Sequence, residues 1–429
     1  MTATDTICAI ATAPGGALGI VRISGPYSFS AASTLCNIRC DTLAANTIRF
    51  ARLTDEKGEI IDEAMISIFQ APHSYTGENC VEISCHGSSY ILSKVLELLM
   101  KNGCRMAEPG EYTMRAYLNG KMDLTQAEAV ADLIASSNRA THHLAMNQLR
   151  GGISTELSQL REKLLKMTSL LELELDFSDH EDLEFADRTV ILQLAQQIDA
   201  NISRLAASFE TGNALKQGIP VAIVGAPNVG KSTLLNQLLG EERAIVSDLQ
   251  GTTRDTIEDT ITLDGVTFRF TDTAGIHHTP DRIEQMGIER SISAAQHASI
   301  IIIMKEPGVP YPELKVREDQ TVIRIVNKTE QFQAKYGIGI DALKQRLLAA
   351  TPKVVNSDVI VTNARHYDAL LRAKQSLAMV IAGLRNGLSG DLLSEDLRDV
   401  LNILAEITGG QITTQETLSN IFSHFCVGK

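Results

Sequence analysis

The chain has 429 residues, 44% of them hydrophobic and 21% charged, with a formal net charge of −13. That length exceeds one ordinary domain of ~100–200 residues, so two or three are expected. The acidic balance excludes coating of nucleic acid by bulk charge, and such a partner would need a local basic patch. Seven scattered cysteines (Cys8, Cys36, Cys40, Cys80, Cys85, Cys104, Cys426) lack paired zinc spacing and fit a reducing cytosol without a disulfide framework. No basic, then apolar, signal segment opens the chain. The apolar run 300–304 falls far short of the ~20 residues that span a bilayer, and the terminal lysine of Cys426-Val427-Gly428-Lys429 is unlike a prenylation signal. A cytoplasmic protein without membrane association is expected.

Up to about Leu118 the pattern is mixed. Gly19–Ser24, Thr47–Leu53, Ile60–Phe69 and Cys80–Cys85 read as strands, with Pro14-Gly15-Gly16, Lys57-Gly58 and Ser74-Tyr75-Thr76-Gly77 as turns. Ser88–Asn102 reads as an amphipathic helix closed by Gly103. This is an α+β domain. From Asp123 to about Phe209 strand signals vanish, and Leu157, Leu160, Leu164, Met167 and Leu171 recur at helical spacing. The acidic group Asp176, Asp179, Glu181, Asp182 and Glu184 reads as a solvated turn between long helices, with a metal site the alternative. Thr211-Gly212-Asn213 and Gln217-Gly218 read as a linker. Strands then alternate with helices from Ile219 to about Leu348, the pattern of a parallel sheet with crossover helices. Helical spacing returns through Ala369–Leu384 and Asp396–Ile407. The simplest organisation is one helical domain interrupted by a nucleotide-binding domain.

The interrupting domain opens on a phosphate-binding loop. Gly225 to Ser232 fits G-x-x-x-x-G-K-[ST] between a strand and a helix. Gly225 and Gly230 let backbone N–H groups wrap a phosphate chain at a helix N-terminus. Lys231 would meet the β- and γ-phosphates, and the Ser232 hydroxyl a Mg²⁺ ion. Downstream, Asp272-Thr273-Ala274-Gly275 follows the strand Val266–Thr271, where a magnesium-facing acid and a γ-phosphate-sensing backbone are wanted. Gly251-Thr252-Thr253-Arg254-Asp255 is a candidate switch loop with a threonine for Mg²⁺. Asn327-Lys328-Thr329-Glu330 approximates N-K-x-D, whose asparagine and acid read guanine. Four elements in order favour GTP over ATP. The position after D-x-x-G, where small GTPases often place a water-orienting glutamine, is Ile276; Glu284 is the nearby acid that could take over.

Together with dispersed stretches outside the G domain, these motifs resemble the tRNA-modification GTPase family MnmE (TrmE) over nearly the whole chain. The stretches are Asp5-Thr6-Ile7, Gly19-Ile20-Val21-Arg22-Ile23-Ser24-Gly25, Tyr75-Thr76-Gly77-Glu78, Cys85-His86-Gly87, Pro109-Gly110-Glu111-Tyr112-Thr113, Arg115 to Leu124, Gln126-Ala127-Glu128-Ala129, Asn363-Ala364-Arg365-His366 and Phe422 to Lys429. Gly287-Ile288-Glu289-Arg290 is equally typical within the G domain. The resemblance implies four parts. Residues 1–118 would form an α+β N-terminal domain for tetrahydrofolate binding and dimerisation. Residues 119–215 and 356–429 would form the helical domain, interrupted by an inserted Ras-like P-loop GTPase domain at 216–355. It also implies a homodimer, a flavoprotein partner, MnmG (GidA), and action at C5 of the wobble uridine of tRNA.

The same resemblance implies site roles. A 5-formyl- or 5,10-methylene-tetrahydrofolate would meet Arg22, Glu82, Lys121 and Lys429. The GTP-binding set would be Asn228, Val229, Gly230, Lys231, Ser232, Thr233, Ser247, Asp248, Leu249, Gln250, Gly251, Thr252, Thr253, Asp272, Thr273, Ala274, Gly275, Asn327, Lys328 and Glu330. Mg²⁺ would lie on Ser232 and Thr253, and K⁺ on Asn228, Ser247, Leu249 and Thr252, with Glu284 and Arg254 catalytic. The departures sit at the base-reading end. Glu330 stands where aspartate is usual, and very little chain separates it from Ala334-Lys335, the best match to an S-A-K loop with Gln333 in place of serine. GTP bound with reduced discrimination over other purines is the expectation there. An rRNA-binding ribosome-assembly switch and a scaffold with a degenerate G domain are the alternative readings.

Overall fold

A computed structural model describes residues 5–176, 188–242, 259–270, 294–351, 359–410, 415–423 and 425–428. Its contacts divide the chain into two units. One comprises Met1–Ile134, Gln148–Glu162 and Leu397–Lys429; the other comprises Ala135–Asn147 and Lys163–Asp396.

The first unit is built on a six-stranded sheet. Its strands are β1 (Thr6–Ile10), β2 (Leu18–Ser24), β3 (Thr47–Thr54), β4 (Ile60–Phe69), β5 (Cys80–His86) and β6 (Cys104–Met106), in the order β3-β4-β5-β2-β1-β6. All neighbours run antiparallel except β1 and β6. Period-two alternation sorts the side chains. Val21 and Ile23, Ala51 and Leu53, Ala64, Ile66 and Ile68, and Val81 and Ile83 face a core shared with helices α1 (Ser28–Leu35) and α2 (Ser89–Lys101). The intervening residues, Arg22, Phe50, Met65, Glu82 and Ser84, line up across the opposite face. Helix α2 buries Leu92, Val95, Leu96, Leu98 and Leu99 and stops where Gly103 adopts a left-handed φ of 88°.

Helix α3 (Glu111–Leu118) carries the unit's densest electrostatics. Arg115, 2% exposed, meets Glu111 at 2.8 Å, Asp5 at 2.7 Å and Glu78 at 3.2 Å, and Arg105 holds Asp5 and Glu111 at 2.7 Å each. Ser24 donates to Glu78 at 2.7 Å, tying β2 to the same cluster. Two arginines thus bridge β1, β6, α3 and the 70s loop. Burial alone would raise the carboxyl pKa of Asp5 and of Glu111. Hydrogen bonds from Arg105 and Arg115, with the Glu108 N–H added at Glu111, outweigh it and hold both below their usual range. Helices α4 (Leu124–Ala135) and α12 (Gln415–Ser423) close on this region, burying Leu124, Ala127, Leu418 and Phe422 together.

The second unit holds a five-stranded sheet. Its strands are β7 (Ile219–Gly225), β8 (Asp259–Leu263), β9 (Val266–Phe270), β10 (Ile300–Lys305) and β11 (Thr321–Val326), in the order β11-β10-β7-β9-β8. Among the described strands only β8 and β9 pair antiparallel. Residues 300–304 of β10 are all buried, as a central parallel strand covered on both faces must be. Leu234, Leu235 and Leu238 of α8 (Lys231–Glu242) and Leu343 and Leu347 of α9 (Ile340–Ala349) share one core with Val221, Ile302 and Phe268. Ala295, Ala298, Tyr311 and Leu314 pack on the other face. The remaining described α-helices, some of which run between the two units in sequence, are α5 (Arg139–Leu149), α6 (Gly152–Asp176), α7 (Arg188–Gln217), α10 (Ala364–Arg385) and α11 (Gly390–Thr408). Phe209 of α7 stacks on Tyr367 of α10 at 4.5 Å.

The strands read from the sequence and the helix Ser88–Asn102 appear within one or two residues, whereas the helices read at Ala369–Leu384 and Asp396–Ile407 start earlier, at Ala364 and Gly390. Residues 211–213 correct the linker reading, because they lie inside α7, which runs unbroken to Gln217. Gly212 is a packing glycine: a Cβ there would come within 2.3 Å of the Val361 carbonyl oxygen. Strands β1 and β6 escape a hydropathy reading because one is short and the other lies within a motif. All seven cysteines are free thiols. Four members of the acidic group (Asp179, Glu181, Asp182 and Glu184) lie outside the described residues.

Removing one partner of a buried ion network strands the others, so Arg115→Met is expected to destabilise the protein by about 3–5 kcal/mol, read as a lower urea midpoint. Asp5 and Glu111, with lowered pKa values, lend stability at neutral pH that is lost as pH falls below about 4 and through those values. Glu111→Gln should therefore flatten the acid limb of a stability-against-pH curve, and an unchanged limb would rule the network out as its source.

Candidate active site

Strand β7 delivers the phosphate loop at the carboxyl end of the parallel sheet, where open α/β sheets bind ligands. Asn228 stands exposed at the loop's crown with φ 59°, and Gly230 turns the chain into α8 with φ 102°. Both are left-handed conformations that turn successive N–H groups into a concavity. Gly225 is needed for space, since a Cβ there would lie 2.6 Å from the Met304 carbonyl oxygen of β10. The Lys231 ammonium donates to Gly225 O at 2.8 Å and Ala226 O at 3.0 Å. Burial lowers its pKa. A poorly solvated ammonium at a helix N-terminus, beside the Ser232 hydroxyl, has the chemistry to take a polyphosphate with its Mg²⁺.

Asn327, at the end of β11, is 4% exposed and spends its amide on two loops. Its Nδ2 donates to the Val229 carbonyl at 2.7 Å, and its Oδ1 accepts from the Ala334 N–H at 3.0 Å. A Cβ on Gly230 would sit 2.5 Å from that Nδ2. One side chain therefore ties the phosphate loop to the segment carrying Ala334-Lys335. The short connection between them is a tight turn. Thr329 and Phe332 exchange backbone hydrogen bonds at 3.1 and 3.2 Å, which leaves Glu330 exposed at the turn. Lys328, with φ 61°, forms an ion pair with Glu306 just beyond β10.

A second polar centre lies in the first unit. Arg22 of β2 pairs with Glu82 of β5, directly opposite in register, at 2.8 Å. Its Nη1 also donates to the Gly428 carbonyl at 3.2 Å, and its guanidinium lies 5.7 and 5.6 Å from the ring centroids of Tyr75 and Tyr112. The Tyr112 hydroxyl in turn donates to Arg22 O at 2.7 Å. The C-terminal tail is seated by the Gly110 N–H on Cys426 O at 3.3 Å. Gly428, φ 94°, leaves no room for a Cβ, which would meet Ile10 O at 2.4 Å. Lys121 donates instead to Pro72 O at 3.0 Å, on the loop that supplies Tyr75.

Of the residues singled out in the sequence, the structure joins Val229 and Gly230 with Asn327, Lys231 with Gly225, and Arg22 with Glu82. Ser232 and Thr233 open α8. Ser247, Asp248, Leu249, Gln250, Gly251, Thr252, Thr253, Arg254, Asp272, Thr273, Ala274, Gly275, Glu284 and Lys429 lie outside the described residues. Tyr75 and Tyr112, the aromatic walls of Arg22, carry no role in the sequence reading, although both lie in quoted motifs.

A glycine-lined phosphate loop, tied by an asparagine to the turn after the parallel strand β11, places the chain among P-loop proteins, and its relatives place it in the GTPase class. Two family descriptions match the chain: "GTP-binding protein TrmE N-terminus" over residues 6–121 and "MnmE helical domain" over residues 124–426. The tRNA modification GTPase MnmE of Bacteroides fragilis is 50% identical, covering 99% of this chain and 99% of its own length. That of Parabacteroides distasonis is 48% identical, covering 99% and 100%, and that of Flavobacterium johnsoniae 45%, covering 99% and 99%. The chain belongs to the MnmE (TrmE) family of tRNA modification GTPases. Its fold is an α+β N-terminal domain followed by a helical domain that an inserted P-loop GTPase domain interrupts.

Asn327→Ala orphans a buried N–H and a buried carbonyl at about 1–3 kcal/mol each, and nucleotide affinity is expected to fall by about 10- to 100-fold. Titration with a fluorescent guanine nucleotide checks this, and parental affinity would show that the tie does not shape the loop.

Proposed function

We propose that this chain is a K⁺-stimulated, Mg²⁺-dependent GTPase whose cycle of G-domain pairing drives a complex that modifies C5 of the wobble uridine in tRNA. A 5-formyl- or 5,10-methylene-tetrahydrofolate would be the one-carbon donor. The observation that carries this reading is the meeting of Arg22, Glu82 and the Cys426–Gly428 tail. Two ends of the chain converge there on a guanidinium walled by two tyrosines. Arginine suits the carboxylates of a folate, Glu82 can accept from pterin N–H groups, and flat aromatic walls suit flat rings. Lys121 and Lys429 would complete the charge.

In the G domain, Lys231 meets the β- and γ-phosphates. Ser232 and Thr253 would hold Mg²⁺, while Asn228, Ser247, Leu249 and Thr252 would hold K⁺. Bound there, the cations supply positive charge where negative charge grows on the transferring phosphoryl oxygens. Glu284 aims the attacking water, a task Ile276 cannot perform, and Arg254 assists on the switch loop. Asn327 and Lys328 frame the base. With Glu330 exposed on a tight turn, guanine is distinguished from other purines less sharply than an aspartate would allow.

The domains run 1–118, 119–215, 216–355 and 356–429. A second copy pairs through the N-terminal sheet. Its free face presents Leu18, Ile48, Phe50 and Met65 at 67, 57, 58 and 43% exposure, an apolar patch of the kind that marks an interface. The homodimer works in the cytoplasm with the flavoprotein MnmG (GidA) on tRNA. No described helix is long and apolar enough to cross a membrane.

GTP turnover in K⁺ against Na⁺ tests the cation reading. K⁺ is expected to accelerate the parent, Asn228→Ala to lose that stimulation, and Glu284→Ala to slow hydrolysis by about 10²–10⁴-fold. Equal rates in the two salts would refute the potassium role. For the folate reading, Arg22→Ala is expected to weaken tetrahydrofolate binding by at least about tenfold, the loss of a charged hydrogen bond, with GTP turnover unchanged. Undiminished folate binding would refute it.

A further inference from the structure

Helix α5 is anomalous in the division of the chain. Residues 135–147 group with the unit that holds the phosphate loop, whereas the chain directly before them, up to Ile134, and directly after them, Gln148–Glu162, groups with the unit that holds Arg22 and the C-terminal tail. The chain thus leaves one unit, runs along the other for little more than one helix, and returns.

What holds α5 there is specific. Strands β8 and β9 form a hairpin whose two-residue turn, Asp264-Gly265, has φ values of 45° and 76°, the mirror-image geometry favoured by that dipeptide. The Gly265 carbonyl accepts the Ala140 N–H at 3.0 Å. It satisfies one of the first-turn donors that a helix cannot satisfy itself. A Cβ on Gly265 would stand 2.6 Å from the Arg139 Cβ. Asn138 does two tasks. Its Oδ1 caps the helix by accepting from the Thr141 N–H at 2.9 Å, and its Nδ2 donates to Thr267 Oγ1 at 2.8 Å on β9. Thr267 Oγ1 lies 3.2 Å from Thr262 Oγ1 across the hairpin. Further along the helix, Ala140 and Leu144 pack against the core of the parallel sheet.

The hairpin's position in the chain gives this clasp its meaning. The segment before β8 carries Gly251-Thr252-Thr253, and the segment after β9 carries Asp272-Thr273-Ala274-Gly275. Both ends of the hairpin therefore run directly into stretches read above as nucleotide-sensing. We propose that α5, clamped by Asn138–Thr267 and Ala140–Gly265, relays the state of the phosphate site into the adjoining helical stretches 124–134 and 148–162, which group with the unit that holds Arg22. The hairpin is the lever and α5 the arm. Residues 124–134 and 148–162, continuous with α5 through the backbone, receive its displacement. The proposal rests on the switch reading of the two flanking segments.

The test is hydrogen–deuterium exchange of the full chain, with GDP against GDP plus aluminium fluoride, in K⁺. The parent is expected to change uptake in the flanking segments 243–258 and 271–293 and also in 111–134 and 148–162. In Thr267→Val combined with Gly265→Ala, the flanking change should persist and GTP turnover should stay within about twofold. The change in 111–134 and 148–162 should shrink about fivefold or more, the scale of a coupling free energy between sites. Thr267→Ser alone, which keeps the hydroxyl, should behave as the parent. A distal response of full size in the double variant overturns the relay, as does a parent whose flanking segments respond while 111–134 and 148–162 do not. If the flanking segments do not respond either, the switch reading fails and takes the relay with it.

Discussion

The amide of Asn327 occupies space that exists only because residue 230 has no side chain, and the nucleotide end of the molecule depends on that fit. Gly230 takes a backbone conformation that other residues rarely adopt, and its missing Cβ is where Nδ2 lies. The sheet supplies the rest. Strand β10 separates β7 from β11 and pairs with both in parallel register, so the phosphate loop after β7 and the asparagine after β11 emerge at the same edge. Each residue of the tie satisfies another's buried polar group. The loop is consequently held in shape by the protein's own hydrogen bonds, and little remains for a ligand to order.

The N-terminal sheet solves a different problem with alternation alone. Its odd-and-even sorting sends small and branched residues to one core, and leaves Arg22 facing Glu82 on the other side at a register where the two must meet. A lone arginine there would have cost desolvation without return. Glu82, two tyrosine rings and the Gly428 carbonyl share that cost, and they come from a strand, a loop, a helix and the C-terminal tail. A site assembled from so many segments forms only when the whole unit has folded.

How legible this was varied with the range of the interaction. Local signals read well: the phosphate loop, helix α2 with its closing glycine, and the buried stripe of Leu157, Leu160, Leu164, Met167 and Leu171. A glycine's purpose did not read well. Gly212 looked like a break in a linker, and it proves to be a helical residue on which the Val361 carbonyl rests. Propensity penalises a mid-helix glycine by about 1 kcal/mol, and tertiary packing overrode it. Asp264-Gly265 went unread although that dipeptide is a local hairpin signal, and its larger consequence, the seat for Arg139 and Ala140, needed the fold to be seen. Arg115 likewise read as part of a motif without a role, because its partners lie up to 110 residues away.

The same distinction explains the short connection that follows β11. A spacing that looks too small to carry an S-A-K loop would spoil the site if Ala334 could not reach Asn327. It reaches, because the Thr329–Phe332 turn reverses the chain at once and the bridge between Gln333 and Ile338 fixes the next few residues. Among the described strands β11 is the outermost on its side, and there the Arg346 guanidinium donates to the Arg324 carbonyl. The short connection retains the tie to the phosphate loop. It leaves Glu330 in solvent on the turn.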